Sequence, residues 1–443
     1  MDGFQSPNLC NLNPEQLERL IRGRRLFLWG ASIVGQGVCR ALTRCGCSLT
    51  AFIDSSPRFK GRRVSHYPVL LPEEILADPE VRQDAFIILS SGHYEGEMAR
   101  ACLAAGMNED VDFISARRLS PLDPSVDISG LCNLKCISCP RGNMPDQPPA
   151  GFIAAETYEK VLEKLLREIP LMGNVQLYAW GEPLLNGQAA EIIKITNDRQ
   201  VLCALSTNLN FSRTLDPVMA ARPDWLKISA SGYGASYERT HTGGKWDRFL
   251  RNLHRLAELR AKYHPEMYVE LNYHLYRHNL GNDLRKMRDL CSELGFAFRP
   301  NWAYLYPLDN VLAYCQGQEL SRQAHETQEL LLLSLEDGLA LARRQAQLPC
   351  AEERCLPIDW NLSVRSCGAY FKPRLVDNFL EHSLEDILRL RTESGICRTC
   401  KQHALHRFTS VYVEETAHDD RFFLEMTEGT AKRDSVECGA SLE

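Results

Sequence analysis

The chain predicts an α/β protein in three parts: a small doubly wound sheet, a longer series of strand–helix units, and a cysteine-rich extension. Three observations carry this. Short apolar runs alternate with helical stretches through the first part. Six further strand-like runs, at 125 to 129, 174 to 180, 201 to 207, 225 to 231, 268 to 276 and 296 to 305, alternate with longer helical patterns. The 17 cysteines include one close group near residue 135 and another beyond residue 350. The expected boundaries are 1–118, 119–320, 321–426 and a polar tail, 427–443.

Bulk properties narrow the function. At 443 residues the chain is long enough for two or three domains with proper cores. A net charge of −6 leaves no basic footprint, so nucleic acid is not an expected partner. The start, Met-Asp-Gly-Phe-Gln-Ser-Pro, lacks the charged-then-apolar signal pattern, and no apolar run approaches membrane-spanning length. A cytoplasmic protein without a membrane partner is expected, and there clustered cysteines point to metal rather than disulfides.

In the first part, Leu26 to Ala31 is an apolar run that opens through a glycine turn into a helical stretch. Further runs end at Asp54 and at Leu89, giving the alternation of a Rossmann-like sheet. Gly30, Ser32 and Gly35 occupy the three positions of G-x-G-x-x-G, with Asp54 at the second strand's end. Ser32 puts a side chain where the backbone must approach a pyrophosphate, so docking of substrate or partner is favoured over a redox nucleotide.

Next comes Asp127-Ile-Ser-Gly-Leu-Cys-Asn-Leu-Lys-Cys-Ile-Ser-Cys-Pro140, a C-x3-C-x2-C loop directly after a strand-like run. A [4Fe–4S] cube normally takes four cysteines, so Cys132, Cys136 and Cys139 would leave one iron open to another ligand. Structural zinc, the alternative, wants a fourth ligand close by, and the nearest downstream histidine is His241.

This loop resembles the radical S-adenosylmethionine (SAM) enzyme signature. Tyr178-Ala-Trp-Gly-Glu-Pro-Leu-Leu-Asn186 is similar to that family's Gly-Gly-Glu element, Leu205-Ser-Thr-Asn-Leu-Asn210 to its third-strand end, and Leu226-Lys-Ile-Ser-Ala-Ser-Gly232 to its fourth. The resemblance implies a partial (β/α)6 TIM-type barrel, a SAM-binding [4Fe–4S] cluster and a reducing electron donor such as flavodoxin or ferredoxin. It assigns Gly181 and Glu182 to the SAM amino group, Ser206 and Asn208 to its ribose or carboxylate, and Ser229 and Ser231 to the cofactor-facing rim. These serines read equally well as hydroxyls satisfying a strand end. All four motifs fall at the C-terminal ends of strands, where barrel enzymes place their chemistry.

The segment from Ser321 to Gln347 reads as one long helix leading to Cys350, Cys355, Cys367 and Cys397-Arg-Thr-Cys400. Between them lies a hairpin-like stretch with Asn361 at the turn. This part resembles the SPASM or twitch extension, which implies one auxiliary [4Fe–4S] cluster on Cys350, Cys367, Cys397 and Cys400. Cys355 competes with Cys350, Cys438 lies far off in the tail, and a zinc site on the same thiolates is the alternative.

The expected activity is a radical SAM oxidoreductase that abstracts hydrogen from a sugar, cyclitol or similar polar metabolite to oxidise or epimerise it. Maturation of a ribosomal peptide is the second reading, and an iron–sulfur electron carrier or regulator the third. Arg239 and His241, on a loop after the fourth strand, are the candidate catalytic residues, against a plain turn. His274 and Tyr276 alternate with Tyr273 and are expected to point inward. Epimerisation needs a thiol to return hydrogen, with Cys203, Cys291 and Cys315 as candidates.

Overall fold

The computed structural model describes residues 12–91, 94–147, 149–350 and 352–410. The predicted tail, Cys438 and residues 411–426 lie outside them. Within the described residues the chain is mixed α/β, with two sheets that are mainly parallel.

The first sheet holds β1 (Arg25–Trp29), β2 (Ala51–Ile53), β3 (Arg63–Val64), β4 (Tyr67–Leu70), β5 (Ala85–Leu89) and β6 (Phe113–Ser115), in the order β3-β4-β2-β1-β5-β6. All neighbours are parallel except the β3–β4 hairpin. The order reverses at β1, as in a doubly wound sheet, and β5 is buried along its whole length, which explains its unbroken apolar run.

The second sheet begins with β7 (Asp123–Val126), β8 (Asn174–Gln176), β9 (Leu202–Thr207), β10 (Trp225–Ser229), β11 (Tyr268–Leu275) and β12 (Ala297–Trp302). Each is parallel to its sequence neighbours, and each overlaps one of the six predicted runs. Alternation along the strands separates two environments. Val269, Leu271, Tyr273 and Leu275 enter the core beneath the helices, while His274, on the opposite face of the strand, borders a cavity. Outside, the Trp246–Tyr263 helix buries Phe249, Leu253, Leu256 and Leu259, a stripe at helical spacing. Each such side chain contributes about 1.5–3 kcal/mol through burial.

The extension is not a detached module. Its β13 (Cys355–Ile358) pairs in parallel with β7, and β14 (Val364–Arg365) and β15 (Arg374–Val376) continue the same sheet. The β13–β14 hairpin turns at Asn361 and Leu362, where Asn361 Oδ1 accepts from the Ser363 hydroxyl at 2.8 Å.

The single helix expected over 321–347 is two helices, Arg322–Leu330 and Leu335–Arg344. The break has a tertiary cause and a local one. Arg277 donates to Leu331 O at 2.7 Å, drawing that residue into a bridge with Tyr276, and Ser334 caps the second helix by accepting from Asp337 N at 3.1 Å.

The Ile33–Arg44 helix beside the first sheet packs against the N-terminal end of the second sheet. Gly37, on the Ile33–Arg44 helix, meets Gly173 just before β8 so closely that a Cβ on Gly173 would lie 2.6 Å from the Gly37 carbonyl. Arg44 adds hydrogen bonds to Pro170 O at 2.9 Å and Met172 O at 2.6 Å.

Candidate active site

Cys132, Cys136 and Cys139 all line one cavity of about 560 Å³, which residues of the second sheet's strands also border. Their loop is held from several directions. Lys135 N donates to Thr242 O at 2.9 Å, Thr327 Oγ1 to Ile137 O at 2.7 Å and Tyr276 OH to Ser138 Oγ at 2.8 Å. Asn143 reaches both Ile137 O at 3.1 Å and Tyr306 O at 2.7 Å. A loop whose carbonyls are fixed by distant segments presents its thiols in one arrangement.

The Gly-Glu-Pro element knits the cavity wall together. A Cβ on Gly181 would stand 1.4 Å from Ser129 O, so only glycine allows β8's exit to press against the strand that feeds the cysteine loop. Buried Glu182 accepts from Asn208 N at 2.7 Å and Leu184 N at 3.1 Å, tying the β8 and β9 ends. Burial pushes its carboxyl up to about 7, against the opposite pull of those two N–H groups. Asp127 is similar: burial first, then the Asp359 carboxylate, push it up to about 6 while it accepts from Ser129 N and Trp180 N.

Of the other predicted residues, Ser206, Asn208, Ser229, Ser231 and His241 also border this cavity. The Ser206 and Ser229 hydroxyls face each other at 3.5 Å, and Ser231 Oγ lies 3.3 Å from His274 Nδ1. His241 stacks on Tyr237, ring centroids 4.5 Å apart, with Nδ1 2.9 Å from Thr240 Oγ1. Burial, reinforced by His274, lowers its pKa to about 3, and burial lowers that of His274 to about 4, so both rings are neutral hydrogen-bonding groups at neutral pH. His274 and Tyr276 take the inward positions expected of them. Arg239 is not brought to the cavity: it is exposed on the Ala235–Thr240 helix, whose buried residues are Tyr237 and Thr240.

The second cysteine group divides. Cys350, Cys367, Cys397 and Cys400 line one small cavity, while Cys355 faces the large one with the first three thiols. Cys203 and Cys291 are buried in the core, and Cys315 sits on the Leu308–Cys315 helix, all away from the cavity. Among the described residues, Cys355 is the thiol beyond the cysteine loop that borders the large cavity, a placement the sequence did not show.

Arg365 was also missed. It is 1% exposed, paired with Asp359 at 2.9 Å, and its guanidinium carbon lies 5.9 Å from the centre of the Trp180 ring at the border of the large cavity. Nothing local marks it, since its burial arises only when β14 joins the sheet.

Among the described residues, no three His, Cys, Asp or Glu side chains converge closely enough to hold a single metal ion. The soft thiols are the donor type an iron–sulfur cluster takes: the three loop thiols, with Cys355 as a fourth, border the large cavity, and Cys350, Cys367, Cys397 and Cys400 border the small one. Burial raises the pKa of each loop thiol and of each of the four in the small cavity, so without metal they stay protonated. No helix among the described residues is long and apolar enough to cross a membrane.

No protein-family model matches the chain, and no curated protein matches it. Among solved structures it is similar to Streptococcus suis SuiB bound to S-adenosylmethionine, at 14% identity over 67% of this chain and 72% of that one, with a TM-score of 0.42. It is similar to BtrN in complex with AdoMet and 2-DOIA, at 16% identity over 66% and 91%, TM-score 0.38. A third is native anSMEcpe with bound AdoMet, at 16% identity over 70% and 100%, TM-score 0.43.

Proposed function

We propose that this chain is a radical SAM enzyme built on a partial (β/α)6 barrel, with one SAM-binding [4Fe–4S] cluster on Cys132, Cys136 and Cys139. The observation that carries the reading is convergence: the three loop thiols, Glu182 and the polar ends of β9 and β10 border one cavity. When bound, such a cluster supplies the electron that cleaves SAM to the hydrogen-abstracting 5′-deoxyadenosyl radical. Around it, Glu182 offers the ammonium of SAM a buried acceptor, and Gly181 keeps the wall close enough for that contact. Ser206, Ser229 and Ser231 offer hydroxyls to the rest of the cofactor. The neutral rings of His241 and His274 orient hydroxyl or amino groups without adding charge.

The substrate is a sugar, cyclitol or related polar metabolite. The same cavity is also bordered by Asp123, Ser125, Gln176, Tyr178, Glu352 and Arg365, a polar lining suited to a polyhydroxylated molecule. The small cavity of Cys350, Cys367, Cys397 and Cys400 is assigned an auxiliary [4Fe–4S] cluster, which favours oxidation; the thiol of Cys355 is the position from which an epimerising enzyme would return hydrogen.

The test is anaerobic reconstitution followed by SAM and dithionite. Release of 5′-deoxyadenosine, abolished when Cys132, Cys136 and Cys139 are changed to Ala, is expected. Stoichiometric zinc with no SAM cleavage would end the reading. Loss of label from a deuterated peptide with none from polar metabolites would move the substrate to the peptide class.

A further inference from the structure

We propose that the side-chain amide of Asn208 is a positioning residue for the cluster, donating a hydrogen bond to the Cys132 sulfur and thereby raising its reduction potential. The inference rests on the radical SAM reading and adds to it a determinant of how readily the cluster is reduced.

The geometry leaves the Asn208 side chain one orientation. Its Oδ1 accepts from Asn210 N at 2.8 Å, which fixes which end of the amide is oxygen. Its Nδ2 then carries two hydrogens toward the cysteine loop, one to Asn133 Oδ1 at 3.0 Å and one to Cys132 Sγ at 3.6 Å. The backbone of the same residue is held by Glu182 Oε2 at 2.7 Å. Asn208 is 7% exposed, so these bonds do not compete with bulk water. The Cys132 sulfur also receives the backbone N–H of Leu134, at 3.5 Å.

With both amide hydrogens so engaged, the donor end of Asn208 is turned to the cysteine loop rather than to a ribose. The effect on the cluster follows from charge. One-electron reduction takes [4Fe–4S]2+ to [4Fe–4S]+, with the electron from an external low-potential donor and no proton transferred. A donor pointed at a ligand sulfur stabilises the reduced, more negative state more than the oxidised one. The same residue links the sulfur through Glu182 to the end of β8, so the β8 and β9 ends and the cluster ligand form one connected unit.

The experiment is a dithionite titration of the iron-loaded full chain followed by electron paramagnetic resonance, reading the reduced signal that changes on adding SAM. Asn208→Asp keeps an acceptor for Asn210 N but replaces the donor with an oxygen; Asn208→Leu removes the donor without adding charge. Both midpoints are expected to move to more negative values, Asn208→Asp further. A wild-type midpoint in Asn208→Leu overturns the proposal even if Asn208→Asp shifts, because charge alone would then explain the latter. If neither variant loads iron, pulsed resonance on wild-type protein carrying 15N in its asparagine side chains decides: a coupled 15N is expected, and its absence overturns the assignment. Iron uptake without any SAM-responsive signal would sink the radical SAM reading and this inference with it, whereas a SAM-responsive signal with an unmoved midpoint would sink only the role of Asn208.

Discussion

Arg40, on the Ile33–Arg44 helix of the front domain, spans the carboxylate of Asp224 at the foot of β10, with Nη1 2.9 Å from Oδ2 and Nη2 on Oδ1. Asp224 is 4% exposed and also accepts from Cys203 N at 3.0 Å, so one carboxylate joins the front domain to β9 and β10. Those strands carry Ser206 and Ser229 near their other ends. Replacing Arg40 by Ala leaves a buried, unpaired charge and is expected to cost about 3 kcal/mol in urea unfolding of the iron-free chain. Arg40→Lys should recover only part, because an ammonium cannot span both oxygens. A loss below about 0.5 kcal/mol, the range of a surface pair, would mean that the Ile33–Arg44 helix is held to the second sheet by other contacts.

Iron content separates the two competing cysteines. Cys350 shares its cavity with Cys367, Cys397 and Cys400, whereas Cys355 does not. Reconstituted wild type should hold about eight irons, the Cys132/Cys136/Cys139 triple Ala variant about four, and Cys355→Ala the full complement. Cys350→Ala should lose iron from the auxiliary site. Iron loss in Cys355→Ala with none in Cys350→Ala would reverse the assignment.

Glu182→Gln should weaken SAM binding and lower stability together. A carboxylate accepts from both Asn208 N and Leu184 N, while a carboxamide must turn its NH2 toward one of them. The unpaired donor costs about 1–3 kcal/mol, read by thermal or urea unfolding. SAM affinity, measured calorimetrically on the loaded protein, should fall while iron stays bound; unchanged affinity would remove Glu182 from the SAM site.

The neutral histidines give a signed pH dependence. His274 titrates at about 4 in the folded chain because burial disfavours its charged form. The unfolded chain, with an ordinary imidazole near 6.5, therefore binds more protons between those values. Its contribution to stability is present above about pH 6.5 and lost as the pH falls toward 4. Between pH 6.5 and 5.0 the iron-free wild type should lose about 1.5 kcal/mol more than His274→Gln, since only the wild type carries this group. Parallel pH profiles would show that the ring titrates alike in the folded and unfolded chain and is not shielded by burial.

The front domain should not bind NAD, NADP or flavin nucleotides. Asp54, where a ribose-binding acid would sit, accepts from Ala31 N and Ser56 N, both at 2.8 Å, and so braces the glycine turn. Ser32 places a side chain at the start of the following helix. Tight binding of NAD in a calorimetric titration would overturn this.

Much of the site was legible because its signals are local. Cysteine spacing, the Gly-Glu-Pro element and the alternation that sets Tyr273 apart from His274 and Tyr276 all depend on residues a few positions apart, and the six strands follow the same short periods. Arg239 misled because His241, two residues away, does border the cavity. Arg239 lies on the Ala235–Thr240 helix, whose buried side is Tyr237 and Thr240, while His241 follows the helix's last residue, so nearness in sequence did not carry the arginine inward.

The sequence by itself determined which thiols are closely spaced and in what order strands and helices come, because spacing and periodicity are properties of neighbouring residues. Tertiary structure decided what those residues face. Cys355 is directed to the large cavity by the pairing of β13 with β7, which sets Cys355 opposite Asp123, more than two hundred positions earlier in the chain. The amide of Asn208 reaches Cys132 only because the β9 end lies beside the cysteine loop, and Arg365 becomes a buried cation only when β14 extends the sheet. Each is a long-range register or packing choice, and no short stretch of sequence encodes the partner it selects.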